Sequence, residues 1–476
     1  MLNNKGDESS KALVSRLVGH FHNRLLAETS MAELSDTNKP EWQVKQYVAA
    51  RVEAMLAEER LVITELERSQ IVDMVVHETR GYGPLQPLLD DKSITEILVN
   101  GPHDIFIERE GHLFSVTSTF RDNDHVRHVI GRIVAPLGRR LDEANPLVDA
   151  RLPNGYRVHA VIPPIALDGP VLTIRKFTRE FTIEDLLALK ALTSEMSQFL
   201  SLSVRARLNI LVSGGVGSGK TTLLNVLSAF IPHNQRVITI EDAAELRLHY
   251  RHPHVVRLET RPPNVEGSGE ILASTLLKNS LRMRPDRIIV GEVRDGAAMT
   301  LLQAMNTGHE GSLTTIHAND PYLAIARLRM LAAMAEMQVH ELVIRDHVEA
   351  IDLVVHVSRM PDGNRRITHI SDFLGFDEAG LPQLNTLFAF HGLDWFAANE
   401  QGVEKTVGYF YRTGHQTRHA ERLQMALRAN RSRHESATWE EWGAMPPTLL
   451  GVDHLSETAA AEYQSLMMEQ LAAEAV

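Results

Sequence analysis

The chain has 476 residues, of which 43% are hydrophobic, so it is long enough for two or three domains with ordinary apolar cores. A net charge of −12 disfavours a protein that coats nucleic acid, although a local basic groove stays compatible with it, and the absence of cysteine excludes disulfide bonds and thiolate chemistry. No segment approaches the roughly 18 consecutive apolar residues of a membrane-spanning helix, so we expect a cytoplasmic protein.

The first 178 residues divide into two predicted regions. Residues 66–178 alternate short β-patterned runs with helices, which predicts an α+β N-terminal domain with helices at 71–78 and 124–137 and strands at 94–99, 104–108, 157–162 and 171–175. Residues 1–65 predict a helical N-terminal region, because apolar side chains recur there at helical spacing: Leu13, Leu17, Phe21, Leu25, Val44, Val48, Val52 and Leu56.

Residues 179–395 read as an α/β domain in which strands alternate with helices. Repeated βα units predict a parallel sheet that helices cover on both faces, with ligands at the carboxyl ends of the strands. A hairpin around Gly363 is expected to close this domain. Residues 396–476 are expected to form a mainly helical C-terminal extension that ends in an amphipathic helix over 456–476. The strand candidates are residues 208–212, 236–241, 287–292, 313–317 and 351–357.

A glycine-rich segment follows the first of these strands and precedes a helical pattern. Residues 214–221 match the P-loop motif G-x-x-x-x-G-K-S/T, in which backbone N–H groups and the N-terminus of the next helix face phosphate. Lys220 would neutralise the β- and γ-phosphate oxygens, and Thr221 would bind Mg²⁺. The segment predicts a nucleoside triphosphate site formed by Gly214, Gly215, Val216, Gly217, Ser218, Gly219, Lys220, Thr221 and Thr222.

Two further strand candidates end in carboxylates that phosphoryl transfer can use. Such a reaction needs an acid that holds the metal and a residue that positions or deprotonates water. We expect Glu292 to hold Mg²⁺ through its water or to orient the attacking water, and we favour Glu241 as the general base. Either acid alone would also be compatible with an ordinary solvated strand end.

Histidines accompany a third strand candidate. His309 precedes it and His317 ends it, and the residue pattern alone allows a hydrogen-bonded packing role for His317 as well as a catalytic one. The cluster of His249, His252 and His254 matches no metal-binding spacing and is expected on a surface loop.

Several longer motifs occur together and in order, at residues 81–85, 96–101, 214–221, 240–242, 282–294 and 306–318. In this combination the chain resembles the hexameric ATPases of the type II/type IV secretion superfamily, over residues 70 to 375. Within that superfamily it is most similar to the CpaF-type motors of Tad (type IVc) pili.

The resemblance implies a homo-hexamer in which a RecA-like P-loop ATPase domain with a parallel sheet is preceded by an N-terminal domain, with ATP bound between the two domains. It makes Glu241 and Asp242 the Asp box, Glu292 the Walker B acid, and residues 309–317 the His box, which contains His317.

The resemblance also implies arginines that reach the γ-phosphate from the N-terminal domain. In this sequence they are Arg151, Arg157 and Arg175. Guanidinium groups suit phosphate oxygens. The alternative for each arginine is a surface ion pair.

These features favour a Mg²⁺-dependent ATPase motor that powers Tad-type pilus assembly or protein secretion through inner-membrane platform proteins, with peripheral membrane contact through those partners. A nucleic-acid translocase is the alternative, because RecA-like hexamers also move DNA. No basic stretch with interleaved aromatic residues supports it, so no direct nucleic-acid partner is expected. A small-molecule kinase and a nucleotide-binding scaffold without turnover are further alternatives.

Overall fold

A computed structural model describes residues 4–28, 40–109, 112–117, 119–137, 140–176, 180–261, 263, 268–335, 339–398, 404–430 and 448–453. The chain divides into two compact units, Met1–Thr178 and Arg179–Val476. Within the described residues, no helix combines the length and the apolar content needed to cross a lipid bilayer.

Among its described residues, the N-terminal unit begins with the helices α1 (Asn4–Glu28), α2 (Glu41–Glu58) and α3 (Glu65–Arg80). Helix α3 starts at a capping box, in which the Thr64 hydroxyl accepts the Glu67 N–H and the Glu67 carboxylate accepts the Thr64 N–H. The expected helical spacing is confirmed, because α1 and α2 bury those apolar positions against α3: Leu17, Phe21, Leu25, Val44, Val48, Val52 and Leu56.

A six-stranded antiparallel sheet follows, in the order β3-β2-β1-β6-β5-β4. Helix α5 (Asn123–Val134) packs the buried residues Val126, Val129 and Ile130 into the same core as the sheet. The sequence did not indicate β3 and β4, and all four side chains of β3 are exposed, which removes the apolar alternation that marks a strand. The elements are α4 (Gln86–Asp90), β1 (Ile94–Asn100), β2 (Asp104–Arg109), β3 (His112–Ser115), β4 (Leu147–Arg151), β5 (Arg157–Val161) and β6 (Val171–Arg175).

The C-terminal unit is built on a ten-stranded sheet of β7 to β12, within residues 210–359, and β13 (365–376), β14 (382–398), β15 (404–412) and β16 (448–453). The strand order is β16-β15-β14-β13-β12-β7-β11-β10-β8-β9. The six strands from β12 to β9 in this order are parallel, as expected, and β9 is an addition that the sequence did not indicate. Strands β7, β8 and β10 are buried at every residue, which is typical of parallel strands covered on both faces. They are β7 (Ile210–Gly214), β8 (Val237–Glu241), β9 (Val255–Glu259), β10 (Arg287–Val290), β11 (Leu313–His317) and β12 (Leu353–Arg359).

Helices cover both faces of this sheet. One apolar core contains the buried side chains of α7 (Ser194–Arg205), α8 (Lys220–Ser228) and α13 (Ala420–Asn430). The core on the other face contains those of α9 (Ala273–Ser280), α10 (Ala297–Asn306), α11 (Pro321–Ala333) and α12 (Glu341–Val348). The short helix α6 (Ile183–Ala188) buries Leu186 in the first core. The expected two-sided cover is therefore confirmed.

The C-terminal part of the sheet corrects two expectations. The hairpin at Gly363 is present, but it does not close the domain, because β13 pairs with β14 and the antiparallel series continues to β16. A mainly helical extension after residue 396 is wrong for β15 and β16, while the helix expected over 456–476 lies outside the described residues. Long hairpins here pair the otherwise open edge of β12. The strands are β13 (Arg365–Phe376), β14 (Pro382–Ala398), β15 (Glu404–Arg412) and β16 (Thr448–Asp453).

Asn209 fixes the amino ends of three neighbouring strands. Its Oδ1 accepts the N–H groups of Gly311 (2.8 Å) and Ser312 (3.0 Å), which precede β11. Its own N–H donates to the Asp352 carboxylate (2.8 Å), which precedes β12 and also binds Arg422 of α13 (3.0 Å). Because these hydrogen bonds are largely buried, they set how β7, β11 and β12 align.

Arg287, the first residue of β10, anchors that strand beside the Asn209 hydrogen bonds. Its fully buried guanidinium donates to Gln235 Oε1 (2.7 Å), the Gly311 carbonyl (3.0 Å) and the Val204 carbonyl (2.8 Å). Burial lowers the pKa of Arg287 to about 9, so the group stays charged at neutral pH. The three oxygens compensate for its desolvation.

Gly311 is the position where this anchor leaves no room for a side chain. A Cβ there would lie 1.7 Å from Arg287 Nη1, on a backbone with φ of +80°. We expect Gly311→Ala to lower the free energy of unfolding by at least about 3 kcal/mol, because it displaces a buried, hydrogen-bonded charge. Urea unfolding of the full chain measures this change.

Gly308→Ala is the matched control, since Gly308 has φ of +99° but nothing within 4 Å of a Cβ. It should cost only about 1–2 kcal/mol of backbone strain. Equal losses for the two variants would contradict a steric conflict with Arg287.

Candidate nucleotide-binding site

The glycine-rich loop (residues 214–221) joins β7 to α8 through a turn that requires glycine. Gly217 and Gly219 have φ of +69° and +98°, a region that other residues rarely adopt. A Cβ on Gly214 would lie 2.3 Å from the Val357 carbonyl oxygen. The backbone therefore turns directly from the buried strand into the first turn of α8, which carries Thr221 and Thr222.

The loop holds its own Gly215 carbonyl with two side chains. Ser218 Oγ donates to it at 2.9 Å and Lys220 Nζ at 2.8 Å. Burial lowers the pKa of Lys220, an effect that the Glu292 carboxylate opposes. The first N–H groups of α8 have no partners within their helix, so the loop offers N–H donors and an ammonium group to an anion.

Lys220 begins a hydrogen-bonded series that we call the polar chain (Lys220, His317, Glu292 and Arg294). Lys220 Nζ lies 3.1 Å from His317 Nδ1, and His317 Nε2 lies 3.0 Å from Glu292 Oε1. Arg294 Nη2 donates to Glu292 Oε2 at 2.6 Å. An ammonium only donates, so His317 accepts at Nδ1 and donates from Nε2, which is the neutral imidazole. Burial and the Lys220 charge both lower the pKa of His317, in agreement with that form.

Parallel strand pairing brings the members of the polar chain together. His317 at the end of β11 is opposite Gly214 at the end of β7, and Ile289 of β10 is opposite Leu313 of β11. Glu292, which follows β10, therefore emerges at the same carboxyl edge as the glycine-rich loop.

Glu241, which also ends a strand at this edge, has a different environment. Its side chain is 4% exposed, and Oε2 accepts the N–H groups of Glu245 (2.7 Å) and Leu246 (2.8 Å). No hydrogen bond joins it to the polar chain within the described residues. Burial raises the pKa of Glu241 to about 7, against the effect of these two N–H donors. Through these two hydrogen bonds, its carboxyl group holds the turn after β8.

Asp242, the next residue, lies on the solvent side. Its Oδ1 accepts the Thr260 hydroxyl at 3.2 Å, and its Oδ2 is 3.8 Å from Arg294 Nη1. Arg294 thus lies between Asp242 and Glu292.

The remaining histidines lie elsewhere. His309 precedes β11, so the length of that strand separates it from His317. The expected surface loop is wrong for His252, which is 3% exposed with its Nε2 3.1 Å from the Pro232 carbonyl. No group of three or more histidine, aspartate or glutamate side chains within the described residues could hold a metal ion.

The three arginines named from the sequence form one row in the N-terminal unit. Arg151 of β4 is opposite Arg157 of β5, and Arg157 is opposite Arg175 of β6. Arg175 is also opposite Glu96 of β1, with 3.5 Å between its Nε and the carboxylate. The three arginines therefore occupy directly opposed positions on neighbouring strands.

The residues present fit a magnesium ion beside bound phosphate. Mg²⁺ prefers oxygen ligands and is usually held by one or two protein side chains together with substrate phosphates and water. The Thr221 hydroxyl in the first turn of α8 and the Glu292 carboxylate supply that chemistry.

A cavity of about 670 Å³ adjoins the loop on the side of α11. The loop and the end of β11 form one side of it, and residues of α11, with Arg327 among them, form the other. The lining residues include Gly215, Val216, His317, Asn319, Leu323, Arg327 and Met330.

Two side chains that touch the loop region were not identified from the sequence. His356 Nδ1 lies 2.8 Å from Ser213 Oγ, and Arg365 Nε donates to the Gly217 carbonyl at 2.9 Å. Both lie more than 140 residues from their partners along the chain, so no local spacing could have indicated them.

Comparison with known proteins places the chain in a family. Residues 78–361 match the family described as type II/IV secretion system protein. A putative conjugal transfer protein of Mycobacterium tuberculosis is 39% identical over 303 residues, covering 62% of this chain and 85% of that protein. The conjugal transfer protein TrbB of Rhizobium radiobacter is 38% identical over 292 residues, covering 60% and 86%.

A crystal structure of the VirB11 ATPase from the Brucella suis type IV secretion system, in complex with sulphate, is 32% identical and covers 60% of this chain and 91% of that one, with a TM-score of 0.34. On the family match and the two conjugal transfer relatives, the chain belongs to the type II/IV secretion system protein family.

The raised pKa of Glu241 has a measurable consequence. The folded protein binds this proton more tightly than the unfolded chain, whose carboxyl has a pKa near 4.5, so its contribution to stability is lost as pH rises through about 7. We expect wild type to lose about 3 kcal/mol relative to Glu241→Gln between pH 4.5 and 8, as measured by urea unfolding at a series of pH values.

Glu310→Gln, at an exposed glutamate, should keep the wild-type pH dependence. Parallel stability curves for wild type and Glu241→Gln would contradict the assignment.

Proposed function

We propose that the protein is a Mg²⁺-dependent ATPase motor that powers Tad-type pilus assembly, or protein secretion, through inner-membrane platform proteins. The observation that supports this most is the polar chain, which connects the lysine of a glycine-rich loop to a strand-end carboxylate. Membership of the type II/IV secretion family supports the biological setting. We further propose that the motor is a homo-hexamer that contacts the membrane peripherally, through its partners.

We propose residues 179–395 as a RecA-like P-loop ATPase domain and residues 66–178 as the N-terminal domain that closes on it, preceded by the helical region 1–65. Strands β15 and β16 pair with the main sheet, and α13 buries Leu423 and Leu427 in its core. The described part of 396–476 therefore belongs with the ATPase domain in this proposal.

In the proposed reaction, Lys220 moves from the Gly215 carbonyl and His317 to the β- and γ-phosphate oxygens, which are stronger acceptors. Thr221 and Glu292 would hold Mg²⁺, which would supply positive charge that neutralises the phosphate oxygens. With Lys220 engaged by phosphate, His317 Nδ1 loses its donor while Nε2 still donates to Glu292. This series links the state of the phosphate to the orientation of the Glu292 carboxylate.

The geometry moves our preference for the water-orienting residue from Glu241 to Glu292. Glu292 is 18% exposed at its side chain and hydrogen bonds within the polar chain, whereas Glu241 is buried and holds backbone amides. A pKa near 7 suits Glu241 to accept a proton at physiological pH. We propose that Glu292 orients the water, and that Glu241 contributes by holding the turn after β8 in place.

We propose that the row of Arg151, Arg157 and Arg175 contacts the γ-phosphate when the domains close. Directly opposed positions place the three arginines on neighbouring strands, and guanidinium groups suit phosphate oxygens. Hydrolysis would remove that anion and allow the domains to separate, which is how a nucleotide state becomes a conformational state.

Replacement of Lys220 tests the nucleotide site. Lys220→Ala removes the one side-chain charge that the loop directs at phosphate, and we expect steady-state ATP turnover to fall at least a hundredfold in a folded protein. Circular dichroism and size-exclusion chromatography establish that the variant is folded. Turnover above a tenth of wild type would rule out this site as the source of the activity.

The same assay separates the motor from a nucleic-acid translocase. A pilus or secretion motor is expected to turn over ATP independently of single-stranded DNA. Strong stimulation by single-stranded DNA that Lys220→Ala abolishes would favour the translocase.

Glu292→Gln keeps the size of the side chain and removes its charge. We expect it to bind a fluorescent ATP analogue within about threefold of wild type, while its single-turnover rate falls by a factor of a hundred or more. Glu310→Gln is the control for loss of an exposed carboxylate. Normal single-turnover hydrolysis by Glu292→Gln would remove this residue from the reaction.

A further inference from the structure

A second part of the sheet reaches the glycine-rich loop, from the hairpin between β12 and β13. Arg365, the first residue of β13, donates its Nε–H to the Gly217 carbonyl at 2.9 Å. Its Cδ lies 3.2 Å from where a Cβ on Gly219 would be, so its aliphatic stem packs against the residue that caps α8. One side chain thus contacts both glycines of the loop that have positive φ.

The base of Arg365 is fixed by the neighbouring residues of β13. Arg366 is 2% exposed, donates to the Lys190 carbonyl at 3.1 Å and has its guanidinium carbon 5.0 Å from the Phe390 ring centroid. The Ile367 N–H donates to the Ala191 carbonyl at 2.8 Å. Arg365 therefore extends from a strand that is anchored in the core and does not depend on the loop for its position.

The donor to the Gly217 carbonyl comes from outside the loop. Ser218 and Lys220 both donate to Gly215, and Lys220 is the group that phosphate would attract away. Gly217 has neither of these donors, and its positive φ is a conformation that glycine readily leaves in an unrestrained chain. The Arg365 hydrogen bond holds that conformation whether or not Lys220 has moved.

We propose that Arg365 is a positioning residue for nucleotide binding, which preorganises the glycine-rich loop through the Gly217 carbonyl. The claim that the loop binds a nucleotide rests on the proposed function. The claim that Arg365 holds the loop conformation rests on the loop geometry alone. Preorganisation lowers the cost of ordering the loop on binding, so the residue contributes to affinity and leaves the rate of the chemical step unchanged. Its charge also raises the local potential at the phosphates.

Arg359 provides a matched control for the charge. It is directly opposite Arg365 in the β12 and β13 pairing, so the two arginines share one face of the hairpin. No hydrogen bond joins Arg359 to the loop within the described residues. Replacing it removes an equal charge from the same hairpin without removing the Gly217 contact.

Three measurements on the full chain test the proposal. They are the Kd for a fluorescent ADP analogue with Mg²⁺, the single-turnover rate at saturating ATP, and amide hydrogen exchange over residues 215–221 without nucleotide. For Arg365→Ala we expect the Kd to rise about five- to tenfold, a single-turnover rate within twofold of wild type, and faster exchange in the loop. Arg365→Lys should recover part of the affinity, and Arg359→Ala should match wild type.

Each of the following results would contradict one claim of the proposal. Wild-type affinity and exchange in Arg365→Ala would remove the positioning role, and an equal loss in Arg359→Ala would assign the effect to charge alone. A single-turnover rate that falls together with affinity would place Arg365 at the reacting atoms. If wild type binds no nucleotide, the proposed function fails. Amide hydrogen exchange over residues 215–221 in Arg365→Ala then still decides whether Arg365 holds the loop conformation.

Discussion

Parallel pairing of β8, β10, β11 and β7 is the constraint on which the site depends. Because these strands run in one direction, their carboxyl ends meet at one edge, where β7 leads into the glycine-rich loop and β11 ends in His317. At the opposite ends of these strands, Asn209 and Arg287 hold them in register through buried hydrogen bonds. One end of the sheet is thus specified by buried polar anchors, and the other carries the glycine-rich loop and the polar chain.

Two carboxylates at that edge show how environment separates residues of one type. Glu241 and Glu292 both follow buried parallel strands. Glu241 lies under Gly291, whose Cβ would be 3.0 Å from its Cγ, and it binds backbone amides with a raised pKa. Glu292 lies between His317 and Arg294 and is partly exposed. Burial therefore raises the pKa of Glu241. Glu292 stays partly exposed while its carboxylate is hydrogen-bonded by His317 and Arg294.

The antiparallel strands after β12 connect the site to the rest of the C-terminal unit. They cover the open edge of the parallel sheet, add Phe388, Phe390 and Phe410 to the core on the α8 face, and bring Arg365 to the loop. The glycine-rich loop is therefore held from two directions, by β7 along the chain and by the β12 and β13 hairpin across it. The same antiparallel strands that extend the sheet therefore also position the glycine-rich loop.

The sequence by itself determined the helices of residues 1–65, the parallel strands β7, β8, β10, β11 and β12, and the glycine-rich loop, because helical periodicity, buried apolar runs and glycine spacing are local properties. It did not determine β3, β4, β9, β15 and β16. The four side chains of β3 are exposed, and β16 pairs with a strand about 40 residues earlier in the chain, so local apolar patterns do not mark these two strands. Only the tertiary structure decided that Lys220 meets His317, that Glu241 is buried, and that Arg365 holds Gly217, because each depends on strand register or burial that no local pattern records.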